Sequence, residues 1–309
     1  MNIIKFAYLA GYIDGDGCFY VRTYFQKPNN ILVFDYSIQI CSVDEFIIQY
    51  FTKEFGGVCS QRPEKRNDRK DSFLWTIKTK QSVVIAKEII PFLLSKKNTC
   101  NSFIQLGDSI IPNRGISIDE IEISKRQNII QNIKQEIHMN DKITKEIFLS
   151  LKKIKKSIEP SEEDLAYIAG LIDAEGCFRI CHFQSKRPGR SRSYIPVLEI
   201  GNTKSPIFPW IINRFGGSIV YRAPTSRTHN PMIIWSLRSK ALYPMLLKIL
   251  PFVRVKKERC EKLIELQKTS IPNGGNRKSE DFKIRQSEIQ AKRVCLVEEL
   301  HKLNAKGKH

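Results

Sequence analysis

The chain has 309 residues, 41% of them hydrophobic and 10% aromatic, which suits two globular domains of about 100–150 residues and excludes a disordered protein. Lys and Arg outnumber Asp and Glu by 51 to 32, a net charge of +19 that favours a polyanionic partner. No run reaches the ~20 apolar residues of a membrane span, and the eight cysteines form no Cys-x-x-Cys and no Cys/His pairing, which argues against a zinc site and for reduced thiols in a reducing compartment.

Residues 4–14 carry helical spacing, so early that no retained targeting peptide is expected. They end in Leu9-Ala10-Gly11-Tyr12-Ile13-Asp14-Gly15-Asp16-Gly17. Strict alternation follows, a strand with Phe19, Val21, Thr23 and Phe25 on one face and Cys18, Tyr20, Arg22, Tyr24 and Gln26 on the other. A turn at Lys27-Pro28-Asn29-Asn30 leads to a second strand, 31–41. A helix over 44–55 stops at Gly56-Gly57. Strands 57–62 and 72–79 bracket a charged loop. A helix over 81–94 ends near Pro91-Phe92, and another carries Cys100–Gly107.

The order then repeats. Ile168-Ala169-Gly170-Leu171-Ile172-Asp173-Ala174-Glu175-Gly176 restates the opening segment 159 residues later. Gly216-Gly217, Trp235, Lys240, Pro251-Phe252, Lys256-Lys257 and Ile271-Pro272-Asn273 restate Gly56-Gly57, Trp75, Lys80, Pro91-Phe92, Lys96-Lys97 and Ile111-Pro112-Asn113 at an offset of 160. A period this long means a duplicated domain. The second unit is expected to hold a helix over 162–173, started by Ser161 with Asp164 three residues on, and strands in Phe178–Phe183 and 194–201. A helix over 205–215, strands 217–222 and 232–239, and helices over 240–250 and Cys260–Leu266 complete it. The expected architecture is α+β: two pseudo-symmetric αββαββα units, each a four-stranded antiparallel sheet backed by helices. Residues 1–112 form the first repeat, 113–160 a helical linker, 161–280 the second repeat and 281–309 a basic helical tail, in which Arg285-Gln286 resembles Arg126-Gln127.

Two features of the duplicated segment point to chemistry. Ala7, Gly11 and Gly15, like Ala166, Gly170 and Ala174, share a helix face at four-residue spacing. Such faces let two backbones approach closely, with Leu9, Ile13, Leu171 and Ile172 as apolar flanks. Asp14 and Asp16, and Asp173 and Glu175, fall at helix C-termini, where the helix dipole disfavours carboxylates. If the helices pair, Asp16 and Glu175 converge and repel unless a divalent cation lies between them. An oxygen-rich site of this kind suits Mg²⁺ and phosphate hydrolysis.

These segments resemble the two motif copies of single-chain LAGLIDADG homing endonucleases, and the strands, Gly pair, Trp and Pro-Phe…Lys segments fit the family's unit across nearly the whole chain. The resemblance implies units joined at paired helices in a saddle over double-stranded DNA, and an intron-encoded monomer. It implies hydrolysis of both strands of a long asymmetric target, leaving short 3′ overhangs. Asp16 and Glu175 would bind metal with help from the carbonyls of Gly15 and Ala174, while Asp14 and Asp173 tie the helix ends. Mg²⁺ is the expected cofactor, with Mn²⁺ a substitute and Ca²⁺ binding without supporting cleavage. Lys96 and Lys256, with Lys97 and Lys257 as alternates, take the place of a basic residue that polarises the attacking water or stabilises the phosphate. Ser42 and Asn202 stand where a polar residue, often Gln, touches the water network. The family setting also admits an RNA-binding intron maturase, whose partner is its own intron RNA, or a non-cleaving DNA-binding regulator. An organelle interior or a bacterial or phage-infected cytoplasm would suit the protein.

Outward-facing strand residues are the expected DNA contacts, since β-ribbons enter the major groove. In the first half these are Tyr20, Arg22, Tyr24, Gln26, Gln39, Ser60, Arg62, Thr76 and Lys78. In the second they are Arg179, Cys181, Phe183, Ser185, Glu199, Ser218, Val220, Arg222, Ser236 and Arg238. Loops with Arg62, Lys65, Arg66, Arg69 and Lys70, and with Lys186, Arg187, Arg190 and Arg192, are expected to clamp phosphates.

Overall fold

The computed structural model describes residues 2–28, 31–64, 70–110, 120–138, 143–183, 192–224, 226, 230–269 and 280–305. The expected clamp residues Lys65, Arg66, Arg69, Lys186, Arg187 and Arg190, with Ser185 and the Ile-Pro-Asn segments, lie outside this set.

Helix α1 (Ile3–Asp16) leads into strands β1 (Gly17–Gln26) and β2 (Ile31–Ser42), helix α2 (Glu45–Phe55) and strands β3 (Val58–Arg62) and β4 (Ser72–Lys78). Helix α3 (Thr79–Ile89) completes the first repeat's αββαββα order, and α4 (Lys97–Ser109) follows it. Helices α5 (Glu120–His138) and α6 (Lys145–Leu151) precede the second copy: α7 (Glu162–Glu175), β5 (Gly176–Phe183), β6 (Ser193–Asn202), α8 (Ile207–Phe215), β7 (Ser218–Arg222), β8 (Met232–Arg238), α9 (Ser239–Ile249) and α10 (Lys257–Lys268), with α11 (Glu280–Ala305) at the end. Each repeat has one antiparallel sheet, ordered β1-β2-β4-β3 and β5-β6-β8-β7. No described helix is long and apolar enough to cross a membrane.

The duplicated helices form the centre. Residues from Phe6 to Asp14 and from Ala166 to Asp173 are buried, so the middle of each helix is enclosed on every side rather than on one stripe. Close approach explains the glycines. A Cβ on Gly11 would lie 1.9 Å from the Tyr167 carbonyl oxygen, and one on Gly170 would lie 2.0 Å from that of Tyr8. A Cβ on Gly15 would meet the Ala174 Cβ at 2.5 Å. The two backbones therefore touch where the small residues stand.

Around this pair each repeat packs a core between its helices and the inner face of its sheet. Trp75 and Trp235 are fully buried and donate to the carbonyls of Gly56 and Gly216, at 2.8 and 2.7 Å. The glycine pairs that follow α2 and α8 all have positive φ, 78° and 87° in the first repeat and 69° and 93° in the second, which only glycine adopts without strain. Strands β4 and β8 stop one residue before the expected 79 and 239, because Thr79 and Ser239 turn to φ 53° and 52° as the next helices begin.

Two expectations are corrected by how far the core extends. Phe19 and Val21 face inward as expected, but Thr23 and Phe25 are exposed, Phe25 at 62%: the β1–β2 hairpin runs past the helices that cover its root. The last helix is packed against the second repeat. It buries Leu296, Val297 and Leu300, and its Arg293 caps the end of α10 by donating to the Thr269 carbonyl at 2.7 Å. In the first repeat α5 buries Ile130 and Ile133, and Arg126 donates to the Ser109 carbonyl at the end of α4. Arg293, not Arg285, is thus the counterpart of Arg126. Between the repeats, α6 sets Phe148 against Tyr221 of the edge strand β7, ring centroids 5.9 Å apart, covering part of an otherwise open edge.

Candidate active site

Both paired helices end in two acids, and the two acids do different work. Asp14 faces inward. Its carboxylate accepts from the main-chain N–H groups of Leu94, Ser95 and Lys96 at 2.7, 3.2 and 2.9 Å, from the Ser95 hydroxyl at 2.8 Å, and across the helix pair from the Tyr167 hydroxyl at 2.7 Å. Asp173 mirrors it, accepting from the N–H groups of Arg254 and Lys256 at 2.7 and 2.8 Å and from the Tyr8 hydroxyl at 2.8 Å. Burial pushes the Asp173 carboxyl up, against these hydrogen bonds, which favour its charge. Burial foremost, then the facing aspartate, holds the hydroxyls of Tyr8 and Tyr167 well above the usual phenol range, so both are donors at any ordinary pH.

Asp16 and Glu175 face the solvent at the joint end of the pair. The Gly15–Ala174 contact brings them together: a Cβ on Gly15 would lie 3.1 Å from the Glu175 Cγ. Although exposed by area, each is ringed by helix ends that displace water, and this desolvation raises both carboxyls; Asp16 also raises Glu175. Lys96 and Lys256 pull both back down. The sequence spacing therefore does bring one acid from each repeat to a common point.

The two lysines are not surface residues. The Lys96 ammonium donates to the carbonyls of Ile13, Gly15 and Gly17 at 2.6, 3.2 and 2.8 Å, and Lys256 donates to those of Ile172, Ala174 and Gly176 at 2.8, 3.3 and 2.8 Å. Each thus caps the C-terminus of its own repeat's central helix with positive charge, which offsets the dipole that makes acids unfavourable there. Burial lowers both, Lys256 to about 8.

The donor set fits a hard divalent cation. Two carboxylates that repel each other in a desolvated place gain from a cation between them, and carboxylates with neighbouring carbonyls are the hard oxygen donors such an ion takes. No group of three or more His, Cys, Asp or Glu converges among the described residues. The Gly15 and Ala174 carbonyls each accept the longest of the three bonds from their lysine, so they would share themselves between lysine and metal. Ser42 and Asn202 serve turns: they accept from the N–H groups of Asp44 and Lys204 at 3.1 and 2.8 Å.

A cleft of about 730 Å³ opens at Asp16 and is also lined by Tyr12, Ser42, Ala174, Lys256 and Arg259. Another, of about 770 Å³, spreads over the outer face of the first sheet and gathers Tyr20, Arg22, Gln39, Ser60, Arg62, Thr76 and Lys78. Tyr24 and Gln26 are exposed farther along β1. On the second sheet Phe183, Ser218, Val220, Arg222 and Arg238 are exposed and Arg179, Cys181 and Glu199 half-buried, and Arg192, just before β6, is exposed. Ser236 departs from the expectation: it is 2% exposed and shares a 3.1 Å hydroxyl contact with Ser218, so it supports the surface instead of forming it.

Sequence reasoning missed Tyr8 and Tyr167. Their signal was present, since they recur at the motif's own offset of 159, but partners 165 and 153 positions away leave no local spacing to read. It also missed Arg259, which has no basic counterpart at Thr99 and whose guanidinium donates to the Leu303 carbonyl at 2.8 Å beside Lys256.

Residues 9–106 match the family model described as LAGLIDADG endonuclease. No curated protein sequence matches the chain. Among solved structures, the meganuclease I-SmaMI bound to uncleavable DNA is similar with a TM-score of 0.58 at 14% identity, covering 94% of this chain and 98% of that one. A double lysine-to-alanine mutant of I-SmaMI aligns with a TM-score of 0.60 at 12% identity over 96% and 97% of the two chains. The LAGLIDADG homing endonuclease I-GzeII in complex with its DNA target gives 0.59 at 14% identity over 92% and 96%. The likeness read from the two motif copies is thus carried by sequence in the first repeat and by fold in both.

Proposed function

We propose that the protein is a metal-dependent, site-specific endonuclease that hydrolyses both strands of a long asymmetric DNA duplex, leaves short 3′ overhangs and acts as a monomer. The observation that carries this reading is the meeting of Asp16 and Glu175, one from each repeat, between two sheets whose outer faces are polar and basic. Two repeats in one chain supply what a symmetric dimer would supply with two copies, and they differ in nearly every outward residue, which suits an asymmetric target.

Asp16 and Glu175 would hold the cation, with the Gly15 and Ala174 carbonyls at its edge. When bound, Mg²⁺ supplies an activated water and neutralises charge on the phosphodiester. The chain's own contribution is placement. Asp14 and Asp173 lock each helix end to the loop that carries the lysine, so carboxylate and ammonium keep a fixed relation. Lys96 and Lys256 add positive charge beside the acids, where a phosphodiester anion and its pentacoordinate transition state gain from it.

The test is a cleavage selection on a randomised duplex library with Mg²⁺, run with the wild type and Asp16→Asn. Recovery of one long site cut on both strands by the wild type alone supports the reading. A wild type that binds DNA and cuts none of it defeats the nuclease, and double-strand cutting by Asp16→Asn defeats the site.

A further inference from the structure

Carboxylates are out of place on a surface meant for phosphates, yet each sheet carries one among its arginines. On the first, the Arg22 Nε donates to the Asp35 Oδ2 at 2.8 Å, the two being direct cross-strand neighbours, and the guanidinium lies 5.0 Å above the Tyr24 ring. On the second, Glu199 accepts from Arg179 and lies 3.7 Å from the Arg238 guanidinium. Arg179 and Arg238 are the register partners of Val197 from either side, and Glu199 stands two residues along on the same face.

The carboxylates are shielded, with side chains 17% and 18% exposed, while Arg22, Arg179 and Arg238 remain 53%, 43% and 47% exposed. Ion pairs this exposed add little to stability, and the acids repel DNA phosphates. What they do provide is posture. Arg22 spends only Nε on Asp35, which leaves both terminal nitrogens for an outside acceptor. Arg179 and Arg238 each turn Nη2 to Glu199, so that half offers one further terminal nitrogen from each arginine. A guanidinium already held loses less freedom on binding. A fixed pair of N–H donors matches the O6 and N7 acceptors of guanine in the major groove.

We infer that Asp35 and Glu199 are specificity-determining positioning residues, which hold Arg22 in one half and Arg179 with Arg238 in the other to read guanine. This rests on the reading of the two sheets as the DNA surface. The two halves read at different distances from the centre. Arg22 stands five residues after Gly17 and Arg179 three after Gly176. Two residues span about 7 Å of strand, or about two base steps of 3.4 Å, so the first half's guanine lies farther out.

The experiment is a binding selection from a randomised duplex library, with the full chain in Ca²⁺ so that cleavage does not enter. The wild type, Asp35→Asn, Glu199→Gln, Arg22→Lys and the double variant Asp35→Asn/Arg22→Lys are compared. The wild type should prefer guanine about tenfold at an outer position of one half and at an inner position of the other. Asp35→Asn should relax the outer position alone to below about threefold, Glu199→Gln the inner one alone, and the double variant should go no further than Arg22→Lys. Loss of a repelling carboxylate should also raise affinity for non-specific duplex. If Asp35→Asn and Glu199→Gln keep the wild-type profile, or if either relaxes both halves together, the inference is overturned while the nuclease reading stands. A wild type that selects no duplex sequence overturns both.

Discussion

Tyr8 of the first repeat donates its hydroxyl to Asp173 of the second at 2.8 Å, and Tyr167 returns the bond to Asp14 at 2.7 Å. Each tyrosine thereby satisfies the aspartate that anchors the other repeat's lysine loop, so the joint between the repeats and the geometry of each half-site share the same bonds. Tyr8→Phe keeps the ring and leaves a buried carboxylate oxygen short of a donor, which costs about 1–3 kcal/mol. Urea denaturation should show that loss, and a change under about 0.5 kcal/mol would mean the crossed bonds are incidental.

Gly11 is the tightest point of the interface. An added Cβ would stand 1.9 Å from a main-chain oxygen, and helix backbone cannot swing aside as a side chain does. Gly11→Ala must spread α1 from α7, at a cost near or above the upper end of the about 1–3 kcal/mol typical of overpacking. It should also move Asp16 away from Glu175, so cleavage by the remaining folded protein should fall too. A variant with wild-type denaturation and wild-type rate would show that the helices have slack.

The legible parts of this protein were those where one element's own period carries the information. Gly11 and Gly170 sit at helical spacing in both copies, and Phe19 and Val21 alternate with Arg22 and Tyr20. The illegible parts depended on where neighbouring elements stop. Phe25 continues the alternation of Phe19 but lies beyond the covering helices, and Ser236 continues that of Arg238 but lies under its neighbours. Arg293 could not be matched to Arg126 by offset, because α5 and α11 start 160 residues apart while the two arginines stand 167 apart, Arg293 lying two turns farther into its helix; only the shared task of capping a helix end relates them. The family resemblance singles out Lys96 and Lys256, while their place, folded back onto three carbonyls each, follows from the Asp14 and Asp173 anchors.

The raised carboxyls of Asp16 and Glu175 carry a sign that can be measured. An acid whose pKa is higher in the folded state binds more protons folded than unfolded, so it subtracts stability as pH rises through the carboxylate range. Without divalent cations, Asp16→Asn and Glu175→Gln should therefore be more stable than the wild type at neutral pH and converge with it toward pH 4. Saturating Mg²⁺ should stabilise the wild type, by about 2.7 kcal/mol at a hundredfold excess over Kd, and the variants far less. Equal stabilisation of all three would place the cation elsewhere.

Lys256 gives the opposite test at high pH. Burial lowers it to about 8, below the ~10.4 of an unfolded lysine, so between those values the unfolded chain holds a proton that the folded one has released. The penalty for burying its charge is thus full below pH 8 and fades by about pH 10.5, adding up to about 3 kcal/mol over that window. Opposing this, three carbonyls accept from the ammonium, and a neutral amine has only two protons to give. Tyrosines and cysteines titrate in the same window, so the readout is the difference between the wild type and Lys256→Met. The wild type should gain stability relative to the variant steadily from about pH 8 toward pH 10.5. A difference that stays constant would mean that the carbonyls hold the Lys256 ammonium in the folded protein as firmly as water holds it in the unfolded chain.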